Sequence, residues 1–171
     1  MGLVEHREGA PKQLGFAVIT VSDTRRGAED RGGAYLVESI EQAGHRVVHR
    51  GSVPDEPEAI AQALQQALQA PECQLVLFTG GTGLAPRDRT AEVLQAAFEA
   101  EIPGFGELFR MLSYQEIGPA SMLSRACAGV VDRRVIVALP GSPAALRLAM
   151  ERLLLPEAGH LVQQVAPPPG A

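Results

Sequence analysis

Residues 14–21, Leu-Gly-Phe-Ala-Val-Ile-Thr-Val, form an almost unbroken apolar run. A strand wetted on one face alternates apolar and polar residues, so this run reads as a central strand of a parallel sheet, buried on both faces. Residues 74–79 and 134–139 are further β-forming runs, and the more polar residues 45–53 read as a strand nearer an edge. Between these runs, apolar residues recur at helical spacing. Leu36, Val37, Ile40 and Ala43 share one face, closed by Gly44; Ile60, Leu64, Ala67 and Leu68 share another; Val93, Leu94, Ala97 and Phe98 a third. Strands alternating with helices predict a doubly wound α/β domain. Asp55-Glu56-Pro57-Glu58 has the residues of a helix start, with Asp55 as a candidate N-cap. Pro103-Gly104 breaks the chain before a short helix over 105–112, residues 113–129 show no clean period, and Leu146, Met150 and Leu153 mark a last helix after Pro143.

At 171 residues, 46% hydrophobic and 20% charged, the chain suits one domain with a real core. The expected organisation is an N-terminal extension over 1–13, a single domain over 14–164 and a flexible Pro-rich tail over 165–171. A net charge of -5 without a basic run argues against nucleic acid or an anionic membrane as partner. The absence of a spanning apolar run or signal-like N-terminus predicts a cytoplasmic protein. Cys73 and Cys127 lack metal or redox spacing and read as buried small hydrophobes.

Ligands of an open parallel sheet bind beyond the carboxyl ends of its strands. That edge carries Ser22-Asp23-Thr24, Pro54-Asp55, Gly80-Gly81-Thr82-Gly83 with Arg87-Asp88-Arg89, and Pro140-Gly141-Ser142-Pro143. Of only five aspartates, Asp23, Asp55 and Asp88 fall there. Aspartate also favours turns and caps, so Asp55 and Asp88 each have a capping alternative. Glycines directly after a buried strand let backbone N–H groups surround an anion, the alternative being a tight turn. The segment is not a P-loop, because Lys12 is the only lysine, and Pro86 stands where a dinucleotide fingerprint needs glycine. Arg87 and Arg89 could neutralise phosphates, with Asp88 between them suited to a hydrated Mg²⁺. Ser142 is a candidate N-cap beside Gly141, which would let a ligand approach. No nucleophile-and-base constellation is evident, leaving positioning, charge neutralisation and metal ions, the means of phosphoryl and nucleotidyl transfer.

The ordered set Val21-Ser22-Asp23-Thr24, Val53-Pro54-Asp55-Glu56, Thr79 to Gly83 with Arg87-Asp88, Ile102 to Glu107, Leu123-Ser124-Arg125 and Leu139 to Pro143 resembles the MoaB/Mog family of molybdenum cofactor biosynthesis proteins, which includes the gephyrin G domain. Residues 112–118 and 124–129 look closer to the MoaB branch. The resemblance implies a three-layer α/β/α sandwich with a mostly parallel sheet, and a homotrimer or hexamer. It further implies molybdopterin as substrate, Mg²⁺ as cofactor and ATP as co-substrate, AMP being transferred to the terminal phosphate of molybdopterin with release of pyrophosphate. Asp55 and Asp88 match the family's essential acids, with Mg²⁺ as their implied partner. Gly80, Gly81, Thr82 and Gly83 match its pterin-phosphate loop, and Ser22, Asp23, Glu107, Ser142 and Pro143 fall in segments of the same pocket. Other proteins of the pathway are implied partners. Many members read Asp-x-Ser-Gly where this chain has Asp30-Arg31-Gly32-Gly33, so a hydroxyl is missing. A non-catalytic molybdopterin-binding or scaffold protein of the same pathway is the alternative function.

Overall fold

The computed structural model describes residues 11–24 and 29–166. The expected extension up to residue 10 and the tail from 167 lie outside the described residues. Among the described residues six strands and six α-helices follow one another as β1 (Gly15–Val21), α1 (Arg31–Gln42), β2 (Arg46–Val53), α2 (Pro57–Gln69), β3 (Cys73–Thr79), α3 (Thr90–Ala97), β4 (Ala100–Glu101), α4 (Pro103–Ile117), β5 (Cys127–Val131), β6 (Arg134–Leu139), α5 (Pro143–Ala149) and α6 (Leu155–Val165). They build one sheet in the order β2-β1-β3-β6-β5-β4. The first four strands are parallel, and β5 and β4 then continue antiparallel. The fold is the expected α/β three-layer sandwich with a mostly parallel sheet.

Its two cores follow from the period-2 alternation of buried strands. Phe16 and Val18 of β1, Leu75 and Leu77 of β3, and Val135 and Val137 of β6 face one layer, where α1, α4, α5 and α6 contribute Leu36, Ile40, Phe109, Leu146 and Val162. Ala17 and Ile19, Val76 and Phe78, and Ile136 and Ala138 face the other, against Ile60 and Leu64 of α2 and Leu94 of α3. All seven residues of β1 are buried, whereas β2 at the sheet edge is half-exposed, as its polarity predicts. Cys73 and Cys127 are free, buried thiols, and burial pushes each up to about 11. No helix among the described residues is long and apolar enough to cross a membrane.

Two sequence expectations need correction, the short helix after Pro103 and the N-cap at Asp55, and two regions gain elements that the sequence left open. The helix after Pro103 is not short: it runs 15 residues, because Leu108, Met111, Tyr114 and Ile117 lie on its exposed face and blur the stripe of Phe105 and Phe109. The segment without clean period then holds a 3₁₀ turn, Gly118–Leu123, and strand β5, whose small residues give little hydrophobic signal. The last helix continues beyond Leu153, through a π turn over Met150–Leu154, into α6. There the Leu155 N–H donates to the Met150 carbonyl, and Pro156, lacking an N–H, cannot serve the ordinary i−4 ladder. Finally, Asp55 is not the N-cap of α2: Glu56 occupies that position and makes no side-chain cap.

Strand β5 depends on a glycine at one point. A Cβ at Gly129 would penetrate the ring of Phe98, so no side chain fits without moving it. Gly129→Ala is expected to cost about 1–3 kcal/mol by overpacking, read as a lower urea midpoint with unchanged slope.

Candidate functional site

The four parallel strands end side by side, and the loops after them form the site. Ladder order reverses around β1 and β3, since β1 connects onward to β2 on one side while β3 lies on the other. Such a switch point opens a crevice between diverging loops. Ser22 after β1 is buried, and its N–H donates to the Val53 carbonyl, which ties the ends of β1 and β2. Asp23 is exposed and uses both oxygens: Oδ1 accepts from the Asp55 N–H at 3.1 Å, and Oδ2 pairs with Arg87 at 3.1 Å.

Asp55 is only 9% exposed. Its Oδ1 accepts from the Arg89 N–H at 3.1 Å, so the carboxylate reaches across the sheet edge to the loop after β3 instead of capping its own helix. Burial is the main reason its carboxyl sits above the ordinary aspartate value of 3.8. The Arg89 N–H opposes that shift, Asp88 and then Asp23 reinforce it by repulsion, and Arg87 works against them. Asp88 is turned inward on its own loop. Its Oδ2 accepts from the Ala85 N–H at 2.9 Å, while its N–H donates to the Ala85 carbonyl at 2.9 Å. Asp88 is therefore not the N-cap of α3, a position held by Arg89 without a side-chain bond.

Between these acids passes the glycine loop. Gly80 and Gly81 have φ of +102° and +65°, in the left-handed region that favours glycine. A Cβ at Gly80 would strike the Val21 carbonyl; at Gly81 it would lie 2.6 Å from Asp55 Oδ2; at Gly83, 2.5 Å from Asp88 Oδ2. The Gly80 N–H is spent on the Leu139 carbonyl, extending the β3 to β6 ladder. The N–H groups of Gly81, Thr82 and Gly83 have no protein partner among the described residues. Those three donors fit an anion, and Gly80 serves the strand end instead.

A cavity of about 560 Å³ brings together residues 80–83, Asp88, Ser124 and the 140–143 turn. Ser142 is an N-cap as expected, its Oγ accepting from the Ala145 N–H at 3.4 Å. Both Ser142 and Pro143 reach the cavity. Glu107 does not: it lines a neighbouring cavity of about 360 Å³ with Glu101, Arg110, Arg125 and Cys127, and Ser124 belongs to the walls of both. Leu123 and Ser124 of the site cavity escaped residue-level reasoning, since they lie on an aperiodic segment and carry no chemical pattern; the ordered segment match was their only signal. Arg87 is committed to Asp23 and to Glu56 at 2.8 Å, whereas Arg89 makes no ion pair among the described residues.

Asp30 shows what the departure at Gly32 changes. Its Oδ1 caps α1 by accepting from the Gly33 N–H at 2.8 Å, and its Oδ2 accepts from the Thr20 hydroxyl at 2.8 Å. A Cβ at Gly32 would meet Leu146 Cδ1 at 3.3 Å, with Thr79 Oγ1 at 3.7 Å and the carbonyl of Gly141, a cavity-lining residue, at 3.9 Å. The absent hydroxyl thus belongs to the cavity's surroundings, while the cap and fold at Asp30 are intact.

Among the described residues no three His, Cys, Asp or Glu side chains converge on one point that could hold a metal. Asp55 Oδ2 and Asp88 Oδ1 nevertheless make no protein hydrogen bond among the described residues. Two carboxylates completed by water and phosphate oxygens are the usual donors for Mg²⁺, and these two open oxygens match that donor chemistry.

Comparison with known proteins follows the same lines. The family model described as "Probable molybdopterin binding domain" matches residues 17–160. The chain is 44% identical over 162 residues to molybdenum cofactor biosynthesis protein B of Bacillus cereus, covering 94% of this chain and 96% of that protein. A crystal structure of a molybdenum cofactor biosynthesis protein B superposes with a TM-score of 0.88 at 44% identity, over 91% of this chain and 98% of that one. The Mog protein from Mycobacterium ulcerans superposes with a TM-score of 0.79 at 30% identity, over 90% and 99%.

Asp55 carries an ionisation penalty that a test can read. Its folded carboxyl binds its proton more tightly than in the unfolded chain, so its contribution to stability falls as pH rises from 3.8 through the raised value. Asp55→Asn keeps an acceptor for the Arg89 N–H and removes the charge. Its urea midpoint is expected above the parent's at pH 7, the difference closing toward pH 3, in parallel denaturation series.

Proposed function

The chain belongs to the MoaB/Mog family of molybdenum cofactor biosynthesis proteins, and from that premise we propose that it binds molybdopterin and adenylylates it with Mg·ATP. One observation carries the reading: unpartnered N–H groups at Gly81, Thr82 and Gly83 lie between two acids, Asp55 and Asp88, each with an oxygen left open. The loop amides hold the terminal phosphate of molybdopterin. That phosphate oxygen attacks the α-phosphorus of ATP, the bond to the bridging oxygen breaks, and pyrophosphate leaves with its electron pair. The nucleophile is already anionic, so no general base is required. Asp55 and Asp88 would hold Mg²⁺, which when bound would supply the charge neutralisation that lets two anions meet. Asp23 positions Asp55 through its N–H and draws Arg87 against the loop. Ser142 and Pro143 close the opposite wall, and Ser22 holds the strand ends that set it.

One observation favours the second reading, a non-catalytic molybdopterin-binding or scaffold protein: Gly32, within 4 Å of the cavity-lining Gly141, supplies no hydroxyl. Purified chain with molybdopterin and Mg·ATP is expected to yield adenylyl-molybdopterin and pyrophosphate. Asp88→Asn, which removes charge while nearly preserving shape, is expected to lower kcat by about 100-fold or more, as for other electrostatic groups of transfer sites. Tight binding of molybdopterin by the parent without adenylyl product would establish the scaffold instead.

The proposed setting is the cytoplasm, with other proteins of the pathway as partners and a homo-oligomer as the working form. Leu108, Met111, Ile117, Met122 and Leu123 are exposed along α4 and the turn after it, a concentration of apolar surface that suits a subunit interface. Light scattering at micromolar concentration is expected to give a trimer or hexamer, and a monomer would count against this assembly.

A further inference from the structure

We infer that Arg125 is a positioning residue for Asp88, acting through the backbone of the loop and not on a substrate. The inference rests on the reading of Asp88 as a site acid. Arg125 precedes β5 and lines the cavity next to the site, yet its guanidinium crosses to the loop after β3. Nη2 donates to the Asp88 carbonyl at 2.6 Å, and Nη1 pairs with Glu92 in the first turn of α3. One planar fork thus ties the carbonyl of the site acid to the helix that follows it.

The other contacts of this loop explain why such a tie is needed. The two bonds between Ala85 and Asp88 shape the turn, and the Thr90 N–H donating to the Gly81 carbonyl at 3.0 Å closes the base of the loop on the end of β3, but none of these holds the Asp88 carbonyl. From the β1 and β2 side the segment is anchored by Arg89 N–H to Asp55, and by Arg87 to Asp23 and Glu56. The Arg87 pairs are exposed and count for little individually. From the β5 side, Arg125 alone reaches the Asp88 backbone among the described residues. Its Nε is buried without a partner among the described residues, an arrangement that costs stability. The guanidinium is therefore poorly explained as a stabiliser alone, and its two committed nitrogens both point at the segment carrying Asp88. A shift of about 1 Å in a group that must meet a reacting phosphate can cost about 100-fold in rate.

The test compares the full-length parent with Arg125→Ala, Arg125→Lys and Glu92→Gln by hydrogen exchange and steady-state kinetics. In Arg125→Ala, amides of residues 84–89 are expected to exchange at least about tenfold faster, with β1, β3 and β6 unchanged. Its kcat for adenylyl transfer is expected to fall about 30-fold while KM for Mg·ATP stays within about threefold. Arg125→Lys, which can serve one acceptor but not both, should recover part of each effect. If Arg125→Ala does not fold, Glu92→Gln carries the test through a smaller rise confined to the same amides. Unchanged loop exchange, an equal rise across the sheet, or a loss confined to KM would overturn the inference. A parent that makes no adenylyl product overturns the proposed function instead, and the exchange comparison then decides the Arg125 role by itself.

Discussion

The backbone of the loop after β3 passes in contact with two carboxylates, and only an absent Cβ permits it. At Gly81 the position of a Cβ is already occupied by Asp55 Oδ2 and Thr90 Oγ1, and at Gly83 by Asp88 Oδ2. This closeness constrains the sheet as much as the loop. Asp55 follows β2, Asp23 follows β1 and the glycines follow β3, so the three meet only if the strands end level. They do: Val21 pairs with Val53, and Thr20 with Thr79. A slip of one residue would turn each strand's side chains to the opposite core. The apolar alternation that separates Phe16 and Val18 from Ala17 and Ile19 thereby fixes the site as well as the two cores.

Crowding acids beside an anion cradle is costly in the absence of ligand. Asp55 feels it most: it is buried, its carboxyl is raised, and Asp88 and Asp23 both add repulsion. What holds the arrangement is a set of hydrogen bonds that leave part of each acid's capacity unused. Asp23 spends one oxygen on the Asp55 N–H and the other on Arg87. Asp55 spends one oxygen on the Arg89 N–H. The stress is local, and the apolar cores beneath it offset the cost. On the proposed reading, a cation entering such a site would relieve repulsion that the fold already holds.

The architecture was legible wherever burial dictates composition. The strands at β1, β3 and β6 show themselves because both faces are covered, and β2 reveals its edge position by its polarity. Legibility failed where side chains answer to something other than one core. Helix α4 is apolar on the core side at Phe105 and Phe109 and on the outer side at Leu108 and Met111, so its period was obscured. In β5, Gly129 is small because Phe98 fills its space, a tertiary fact invisible in the segment itself. At the site, the placing of Asp88 and residues 80–83 at one sheet edge could be read from their positions just after the end of a buried strand. Asp55 was harder, because an acid before Glu-Pro-Glu looks like a helix cap; its carboxylate turns to the Arg89 N–H, which no local pattern records. Glu107 shared a motif with the site's segments but lies in the adjoining cavity, showing that motif membership does not fix where a side chain points.

On the proposed reading, the absence of a P-loop lysine follows from what must be held. In a nucleoside triphosphatase the cradled phosphates belong to the electrophile, and a lysine there draws charge toward the leaving group. Here the cradled phosphate is the nucleophile. A full cation on it would orient it but also withdraw the electron density with which it attacks, whereas backbone N–H dipoles hold the anion with partial charges only. Residues 81–83 supply such dipoles, and the site acids stand to one side of them, where a cation would neutralise the triphosphate. Separating these duties between a loop of small residues and two carboxylates keeps the attacking oxygen anionic and lowers repulsion where the new bond must form.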